Sequence, residues 1–209
     1  MRRFYQDITN TTTTMIPAKD LTFRRASDSR QAMAFIKEHH YTKTCPPGKF
    51  YYLVEHSGEV VGAAVFRRPS LPKSAAAYGA DLELSRLVLT DACGKNSESR
   101  FLGFMLRDLD QPGLSKVLTF ADPHHGHSGV IYRAANFTYV GMEKGHGTRV
   151  IVVDGVEMHS KTAYDRWGCS GAKLADLLPL STVAVIVRPP KHAYIYNLGR
   201  SRIKPKKTI

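Results

Sequence analysis

The segment from Phe120 to Gly141, F-A-D-P-H-H-G-H-S-G-V-I-Y-R-A-A-N-F-T-Y-V-G, contains the pattern that decides the fold. An apolar run from Val117 to Ala121 stops at Asp122, and a loop rich in histidine and glycine follows. A short helical stretch with Tyr132 comes next, and a further strand begins at Thr138. A strand that ends in an acid, a polar loop and a helix that bears a tyrosine are typical of an active site rather than of a core element.

The rest of the chain alternates between strands and helices, which predicts an α/β protein with a mixed sheet. Further predicted strands lie at residues 21–25, 50–55, 60–66, 82–89, 149–153, 183–187 and 194–198. Predicted helices lie at residues 27–39, 96–112, 161–167 and 173–177. We expect a hairpin turn at Ser57-Gly58. Residues 1–19 are expected to form a flexible arm, 20–199 a single catalytic domain and 200–209 a basic tail.

Composition places the chain among globular proteins without a membrane segment. Of its 209 residues, 43% are hydrophobic, which is too many for a disordered chain. We see no apolar run of the roughly 18 residues that a membrane span needs, and no secretory signal at the start. Cys45, Cys93 and Cys169 are odd in number and lack a C-x-x-C spacing, which argues against a disulfide framework and fits a reducing cytoplasm.

The net charge of +12 makes a polyanion the first partner to consider. A basic but otherwise ordinary soluble enzyme is the alternative, because charge alone identifies no binding groove. Basic residues crowd toward the end of the chain. Those expected to contact a nucleic acid are Lys191, Arg200, Arg202, Lys204, Lys206 and Lys207.

The start of the predicted helix at Asn96-Ser97-Glu98-Ser99 is a candidate anion site. A helix start presents backbone amides that have no partner within the helix, and a pyrophosphate-bearing cofactor could bind them. The alternative is that Ser97 and Ser99 are only capping residues, which are common at such positions.

Tyr132 to Phe137 resembles the Y-x-x-x-G-F signature of the GCN5-related acetyltransferase superfamily. In that superfamily a helix tyrosine protonates the departing thiolate of coenzyme A, so the resemblance implies acetyl-CoA or a related acyl-CoA as cofactor. Asn136 replaces the usual glycine, and asparagine is the next residue most tolerant of a left-handed backbone. The superfamily's pyrophosphate loop, R/Q-x-x-G-x-G/A, is absent, since the segment from Thr90 to Asn96 keeps one glycine.

A closer resemblance covers about residues 23–204. The segments that support it, in order, are 39–41 (HHY), 83–87 (ELSRL), 96–99 (NSES), 122–141 and 191–200 (KHAYIYNLGR). Together they resemble the phage Mom family, whose members have an acetyltransferase-like fold. The resemblance implies a mixed central sheet flanked by helices, with a C-terminal extension. It also implies conversion of adenine N6 in double-stranded phage DNA to a carbamoylmethyl derivative, which protects the DNA from host restriction enzymes.

The resemblance also implies the site residues. Catalytic roles are expected for His40, Tyr41, Asp122 and Tyr132. Cofactor binding is expected for Arg86 and Ser99, and Ser97 is added to them as part of the candidate anion site at the helix start. A histidine beside an aspartate is a good base or metal ligand, and adenine N6 needs such help because its lone pair is delocalised into the ring.

A divalent metal is the other cofactor expected from these residues. His40, Asp122 and His124 could ligate it, and the family has been associated with iron. The alternative is that His124, His125 and His127 are exposed loop residues that grip phosphate or substrate.

Double-stranded DNA is the expected partner, with a homodimer left open and no membrane involved. One alternative function is an ordinary acetyltransferase that acts on a small-molecule or protein amine. Another is a DNA-binding phage protein without catalytic activity. Trp167, Tyr194 and Tyr196 could stack on an exposed base or belong to the core.

Overall fold

The computed structural model describes residues 15–69, 76–143, 148–169 and 171–199. Its strands are β1 (Thr22–Arg25), β2 (Phe50–His56), β3 (Glu59–Arg67), β4 (Leu82–Leu89), β5 (Lys116–Ala121), β6 (Thr138–Met142), β7 (Thr148–Val153), β8 (Val156–His159), β9 (Val183–Arg188) and β10 (His192–Asn197). Its helices are α1 (Arg30–His39), α2 (Ser97–Asp108), α3 (Val130–Ala134), α4 (Ser160–Trp167) and α5 (Ala172–Leu177). No helix in these ranges has the length and apolar composition that a membrane span requires.

The chain divides into two compact units. The first unit consists of the residues up to Arg68 together with Leu84–Asp110, and the second of Pro69–Glu83 with the residues from Gln111 onward. Seven strands form a mixed sheet, in which the first unit contains the order β1-β2-β3-β4 and the second contains β5-β10-β6. The α/β class and the mixed sheet with flanking helices are therefore confirmed. The predicted boundaries at residues 19 and 199 stay predictions.

In the first unit, α1 packs its apolar face on β2 and β3. Ala32, Phe35 and Ile36 lie on one side of the helix because residues three and four apart share a face, and all three are buried. They form a core cluster with residues of both strands, among them Leu53 and Val65. The helix ends at His39, and the residues directly after it include the first candidate site residues.

In the second unit, β10 lies between β5 and β6 and is antiparallel to both. The start of β5 is held by Asp81, whose Oδ2 accepts the Ser115 amide and hydroxyl at 2.7 and 2.8 Å and the Lys116 amide at 3.0 Å. The other end of β5 leads directly to Asp122. Asp81 thus fixes the strand at the end opposite to the candidate site.

The second unit also contains a three-stranded sheet of order β8-β7-β9, covered by α4 and α5. Its core consists of Ile151, Val153, Ala163 and Leu174. The strands at 149–153 and 183–187 were predicted, whereas β8 was not. Trp167 is partly buried against this core, in agreement with a core role rather than base stacking.

Candidate functional site

His40 lies at the point where α1 ends, and its ring is held by the loop that follows. The helix ends because His40 takes an extended conformation, with ψ at 139°, while its amide still donates to the Ile36 carbonyl at 2.9 Å. The side chain is only 6% exposed, and its Nδ1 lies 2.9 Å from the Thr42 hydroxyl. The Tyr41 ring lies 4.2 Å away, centroid to centroid, and Tyr41 is 40% exposed. The pair therefore places an exposed phenol beside a buried imidazole.

Arg86 on β4 contacts the same loop. Its Nε donates to the Thr44 carbonyl at 3.0 Å, and its Nη2 donates to the Thr44 hydroxyl at 3.3 Å. Its Nη1 donates to the Ser85 carbonyl at 2.7 Å. Because Thr44 follows His40 by four residues, one short loop contacts both the guanidinium and the imidazole. The first unit thus brings two of the predicted site residues to this loop.

The start of α2 contains the two serines predicted to bind the cofactor. Ser97 is fully buried, and its hydroxyl donates to the Gly94 carbonyl at 2.6 Å. The Ser99 hydroxyl donates to the Asn96 carbonyl at 3.1 Å. The Gly94 amide itself donates to the Ile16 carbonyl at 2.8 Å. Both serine side chains therefore stabilise the turn into the helix, and contact of either with a cofactor stays a prediction.

Asp122 directly follows β5 and is buried, with 7% exposed. Its Oδ1 accepts the His124 amide at 3.1 Å and so caps the 3-10 turn Pro123–His125. Its Oδ2 lies 3.5 Å from Lys191 Nζ. A cap on one oxygen and an ammonium group near the other fix the orientation of the carboxylate. Lys191, which was predicted to hold DNA, is thus also an ion-pair partner of Asp122.

The three histidines of the following loop, His124, His125 and His127, are all exposed. The rings of His124 and His125 meet edge to face, with centroids 5.0 Å apart. Partial desolvation lowers the pKa of His125 from its ordinary value, and the attraction of the Asp122 carboxylate does not fully offset it. This shift favours the neutral form of His125, which can accept a hydrogen bond as well as donate one.

The predicted metal site at His40, Asp122 and His124 is not supported. Across the described ranges, no group of three or more His, Cys, Asp or Glu side chains is arranged to hold a metal ion. The physical obstacle at Asp122 is the Lys191 ammonium group, which would repel a cation placed at Oδ2. The expectation of a divalent metal, possibly iron, at these residues therefore has no support in the described ranges and stays a prediction.

Tyr132 lies on α3 in the second unit and is 9% exposed. Its ring lies between those of Phe137 and Tyr194, with centroid distances of 5.6 and 5.5 Å. Asn136 has φ at 63°, the left-handed conformation that its replacement of glycine predicted. This turn lets the Phe137 amide donate back to the Tyr132 carbonyl at 3.0 Å. The left-handed turn at Asn136 therefore helps to fix the position of Tyr132.

Tyr194 on β10 anchors the loop that precedes α3. Its hydroxyl donates to the Ser128 carbonyl at 2.9 Å and accepts from Arg133 Nη1 at 3.3 Å. The residue is 1% exposed, so it belongs to the core and is not available to stack on a base. Its ring contact with Tyr132 makes it a support for that residue.

The family of this chain is shown by a sequence match that covers most of its length. Residues 20–207 match the model of the Mom protein family. The chain belongs to the Mom protein family. Over 157 residues it is 31% identical to the methylcarbamoylase mom of Escherichia phage Mu. The aligned region covers 68% of this chain and 63% of the length of that relative.

Solved acetyltransferase structures resemble this Mom family chain in fold. One is the ribosomal-protein-S18-alanine N-acetyltransferase from Escherichia coli, with a TM-score of 0.51 and 7% identity, covering 90% of this chain and 99% of the other. Another is a phosphinothricin acetyltransferase of the GNAT superfamily from Sinorhizobium meliloti in complex with acetyl-CoA. Its TM-score is 0.50 at 15% identity, and the match covers 91% of this chain and 95% of the other. At such low identity the likeness shows the fold alone, which is the predicted acetyltransferase-like one.

The predicted site residues of this Mom family chain fall into two groups, one in each unit. The first unit contains His40, Tyr41, Arg86, Ser97 and Ser99. The second unit contains Asp122, His124, Tyr132 and Lys191. The other predicted DNA-binding residues, Arg200, Arg202, Lys204, Lys206 and Lys207, lie outside the described residues, as does the segment 1–14 of the predicted arm. The roles assigned to all of these residues stay predictions.

Two further residues near the site of the first unit were not predicted from the sequence. Thr42 and Thr44 both contact a predicted site residue, yet their spacing resembles no motif. The only available signal was the T-x-T alternation directly after the His-Tyr pair. Such alternation is too common in loops to have identified them.

Proposed function

We propose that the protein is a transferase that modifies adenine N6 in double-stranded phage DNA to a carbamoylmethyl derivative, protecting that DNA from restriction. The observation that carries the proposal is the match to the Mom protein family over residues 20–207, which spans both groups of candidate site residues. A relative at 31% identity is named a methylcarbamoylase. The buried His40 and Asp122 supply the polar chemistry that an unreactive amine requires.

The distribution of charge supports a nucleic-acid substrate. Five of the 30 Lys and Arg residues, and none of the 18 acidic residues, lie at 200–209. The rest of the chain has 25 basic and 18 acidic residues. A concentrated basic segment favours contact with phosphates because each cation releases a condensed counterion from the DNA. We propose that this C-terminal segment holds the DNA backbone.

In the first unit, Arg86 is proposed to bind the phosphates of an acyl-CoA donor. Its guanidinium is oriented by Thr44 and Ser85, and an oriented guanidinium is well suited to phosphate oxygens. The loop before α2 fits a pyrophosphate less well, because the Gly94 amide already donates to Ile16. Arg86 contributes a full positive charge, which the helix start does not, so it is proposed as the main contact to the donor phosphates.

In the second unit, Asp122 is proposed to accept a hydrogen bond from the N6 amino group and then its proton. Its carboxylate is oriented by the His124 amide before any substrate arrives, and such preorganisation favours the transition state. Tyr132 is proposed to donate a proton to the group that leaves the donor carbon when the N6–CH₂ bond forms, in the place that the superfamily signature implies for a departing thiolate. The target adenine would have to leave the duplex to reach these groups.

The product restricts the choice of donor. A carbamoylmethyl group contains an amide nitrogen that an acetyl group lacks. The donor must therefore bring this nitrogen, or a second nitrogen-containing substrate must react. Plain transfer of acetyl from acetyl-CoA to N6 would give a different adduct, with a different mass.

Mass spectrometry of nucleosides tests the proposal. DNA from cells that express the protein should contain an adenosine whose mass is increased by one carbamoylmethyl group in place of hydrogen. The same DNA should resist restriction enzymes that recognise adenine-containing sites. An adenosine unchanged in mass, identical to that from cells expressing Asp122→Asn, would refute the proposed function.

Ordinary acetyltransferase activity is the second candidate. It is favoured by the likeness to a solved acetyltransferase that contains acetyl-CoA, and it is disfavoured by the absence of the pyrophosphate loop pattern between Thr90 and Asn96. Release of free coenzyme A from acetyl-CoA and a small amine, at a rate that DNA does not change, would support it. A release that requires double-stranded DNA would support modification of DNA.

A further inference from the structure

A chain of hydroxyl contacts joins Arg86 to His40 within the first unit. Arg86 Nη2 lies 3.3 Å from the Thr44 hydroxyl. That hydroxyl lies 3.3 Å from the Thr42 hydroxyl, which in turn lies 2.9 Å from His40 Nδ1. Two threonines thus connect a permanent cation to an imidazole.

The direction of donation along this chain is set at its Arg86 end. A guanidinium has only donors, so the Thr44 hydroxyl oxygen must accept from Arg86. The Thr44 hydroxyl then donates to the Thr42 oxygen. The Thr42 proton can reach two acceptors, His40 Nδ1 at 2.9 Å and the Thr44 carbonyl oxygen at 3.4 Å, and the shorter contact favours Nδ1. Each hydroxyl accepts one hydrogen bond and donates the next, an arrangement in which successive bonds polarise one another.

The backbone amide of Thr42 also requires Nδ1 of His40 to act as a hydrogen-bond acceptor. The Thr42 backbone amide donates to His40 Nδ1 at 3.2 Å. An amide N–H cannot accept a hydrogen bond, so a proton on Nδ1 would face it directly and repel it. Nδ1 must therefore present its lone pair to both the hydroxyl and the amide of Thr42.

We infer that the amide and the hydroxyl of Thr42, whose oxygen accepts from Thr44 beside Arg86, hold the proton of neutral His40 on Nε2. His40 then offers an N–H donor at Nε2 and cannot take up a proton there as a base. The consequence for catalysis rests on the proposed function: His40 orients an acceptor, such as a carbonyl or carboxylate oxygen, and proton removal is left to another group. Thr42 and Thr44 are positioning residues for His40.

The two threonines are expected to contribute unequally. The contact between Thr42 and His40 is partly buried, and burial strengthens a hydrogen bond by excluding water. Thr44 is exposed, so water competes for its hydroxyl and can replace it. Loss of the Thr42 hydroxyl should therefore have a larger effect than loss of the Thr44 hydroxyl.

Nitrogen NMR of the imidazole rings tests the tautomer directly. Protein labelled with ¹⁵N at its nine histidines is studied about two pH units above the ordinary histidine pKa of about 6.5, where the rings are neutral. The His40 signals are those that vanish in His40→Gln. We expect a pyridine-like Nδ1 and a pyrrole-like Nε2. A pyrrole-like Nδ1, or two equivalent averaged nitrogens, would overturn the inference.

Matched variants separate a positioning role from a purely structural one. Thr42→Val keeps the shape of the side chain without its hydroxyl and should shift both His40 nitrogen signals toward averaging. It should also lower kcat for DNA modification about 5- to 10-fold, as expected for one hydrogen bond. Thr42→Ser should restore the signals and the rate, while Thr44→Val should have a smaller effect. A Thr42→Val protein with unchanged nitrogen signals would show that the hydroxyl does not set the tautomer.

Failure of the inference can be told apart from failure of the proposed function. The nitrogen signals are measured without substrate, so the tautomer is established whether or not DNA is modified. Modified adenosine together with a pyrrole-like Nδ1 would refute only the inference. The expected tautomer without any modified adenosine would refute only the function.

Discussion

Tyr194 lies so close to Gly129 that a Cβ added at the glycine would be 2.4 Å from the edge of the tyrosine ring. Gly129 also has φ at 73°, a conformation in which residues with a side chain are strained. The residue stands directly before α3, which contains Tyr132. The missing side chain at Gly129 is thus what lets β10 support the helix that bears the predicted proton donor.

Gly129→Ala should destabilise the protein and reduce its activity. The added methyl group cannot be accommodated without moving Tyr194 or α3, and overpacking of this kind costs about 1–3 kcal/mol in addition to backbone strain. Urea unfolding should show a lower midpoint, and the nucleoside assay should show less modified adenosine because Tyr132 is displaced.

Gly126→Ala is the matched control for this substitution. Gly126 has the same φ of 73°, but a Cβ there would meet nothing within 4 Å. It should therefore show the cost of the backbone strain alone. Equal destabilisation of the two variants would mean that contact with Tyr194 does not matter.

Asp81 should make the stability of the second unit dependent on pH. Burial opposes its ionisation, but the hydrogen bonds from Ser115 and Lys116 outweigh it and hold the pKa of Asp81 below its usual range. The folded state then binds fewer protons at Asp81 than the unfolded state. The contribution is present above the unfolded value of about 3.9 and is lost as the pH falls through the folded value.

Asp81→Asn checks this dependence by urea unfolding at several pH values. The variant should be less stable than the parent at pH 7 by about 1 kcal/mol, the size of a weakened hydrogen bond at a partly solvated site. The difference should shrink as the pH falls below about 4. Asp91→Asn, at an exposed loop position, should match the parent throughout. If the difference in unfolding free energy between Asp81→Asn and the parent stayed constant as the pH fell well below 4, ionisation of Asp81 would not be its cause.

Those features of the site that depend on local geometry could be predicted from the sequence. The left-handed Asn136 followed from its place in the tyrosine signature, and the buried face of α1 followed from helical spacing. The position of Asp122 at the end of β5 followed from the abrupt end of an apolar run. Each of these depends on neighbours within a few residues.

Features that depend on contacts distant in sequence could not be predicted. Thr44 meets Arg86 across 42 residues, and Tyr194 meets Ser128 across 66. No spacing encodes either contact. The ion pair of Lys191 with Asp122 was missed for the same reason. For β8 a local signal did exist, because Asp154-Gly155 is a typical hairpin turn with positive φ at both residues.

Asp122→Asn should abolish most of the modification while leaving the fold intact. Asparagine keeps an oxygen that can accept the His124 amide, so the cap of the 3-10 turn survives. It cannot take a proton, and loss of a general base lowers rates by about 100-fold or more. Kinetic measurement of modified adenosine, with circular dichroism as a check on folding, tests this. Lys191→Met removes the ion-pair partner and a predicted DNA contact, so it is measured at saturating DNA, where a loss of kcat as large as that of Asp122→Asn would assign the effect to the ion pair.

Removal of residues 200–209 should weaken DNA binding and make it less sensitive to salt. The segment contains Arg200, Arg202, Lys204, Lys206 and Lys207 and no acidic residue. Each phosphate contact contributes about 0.9 to the slope of log affinity against log salt concentration. If all five residues contact phosphates, fluorescence anisotropy over a series of salt concentrations should show a slope that is smaller by about 4 to 5. A variant with Arg and Lys exchanged at these positions keeps the charge and should retain most of the slope, whereas glutamine at all five should behave like the deletion. An unchanged slope after deletion would place the DNA contacts elsewhere in the chain.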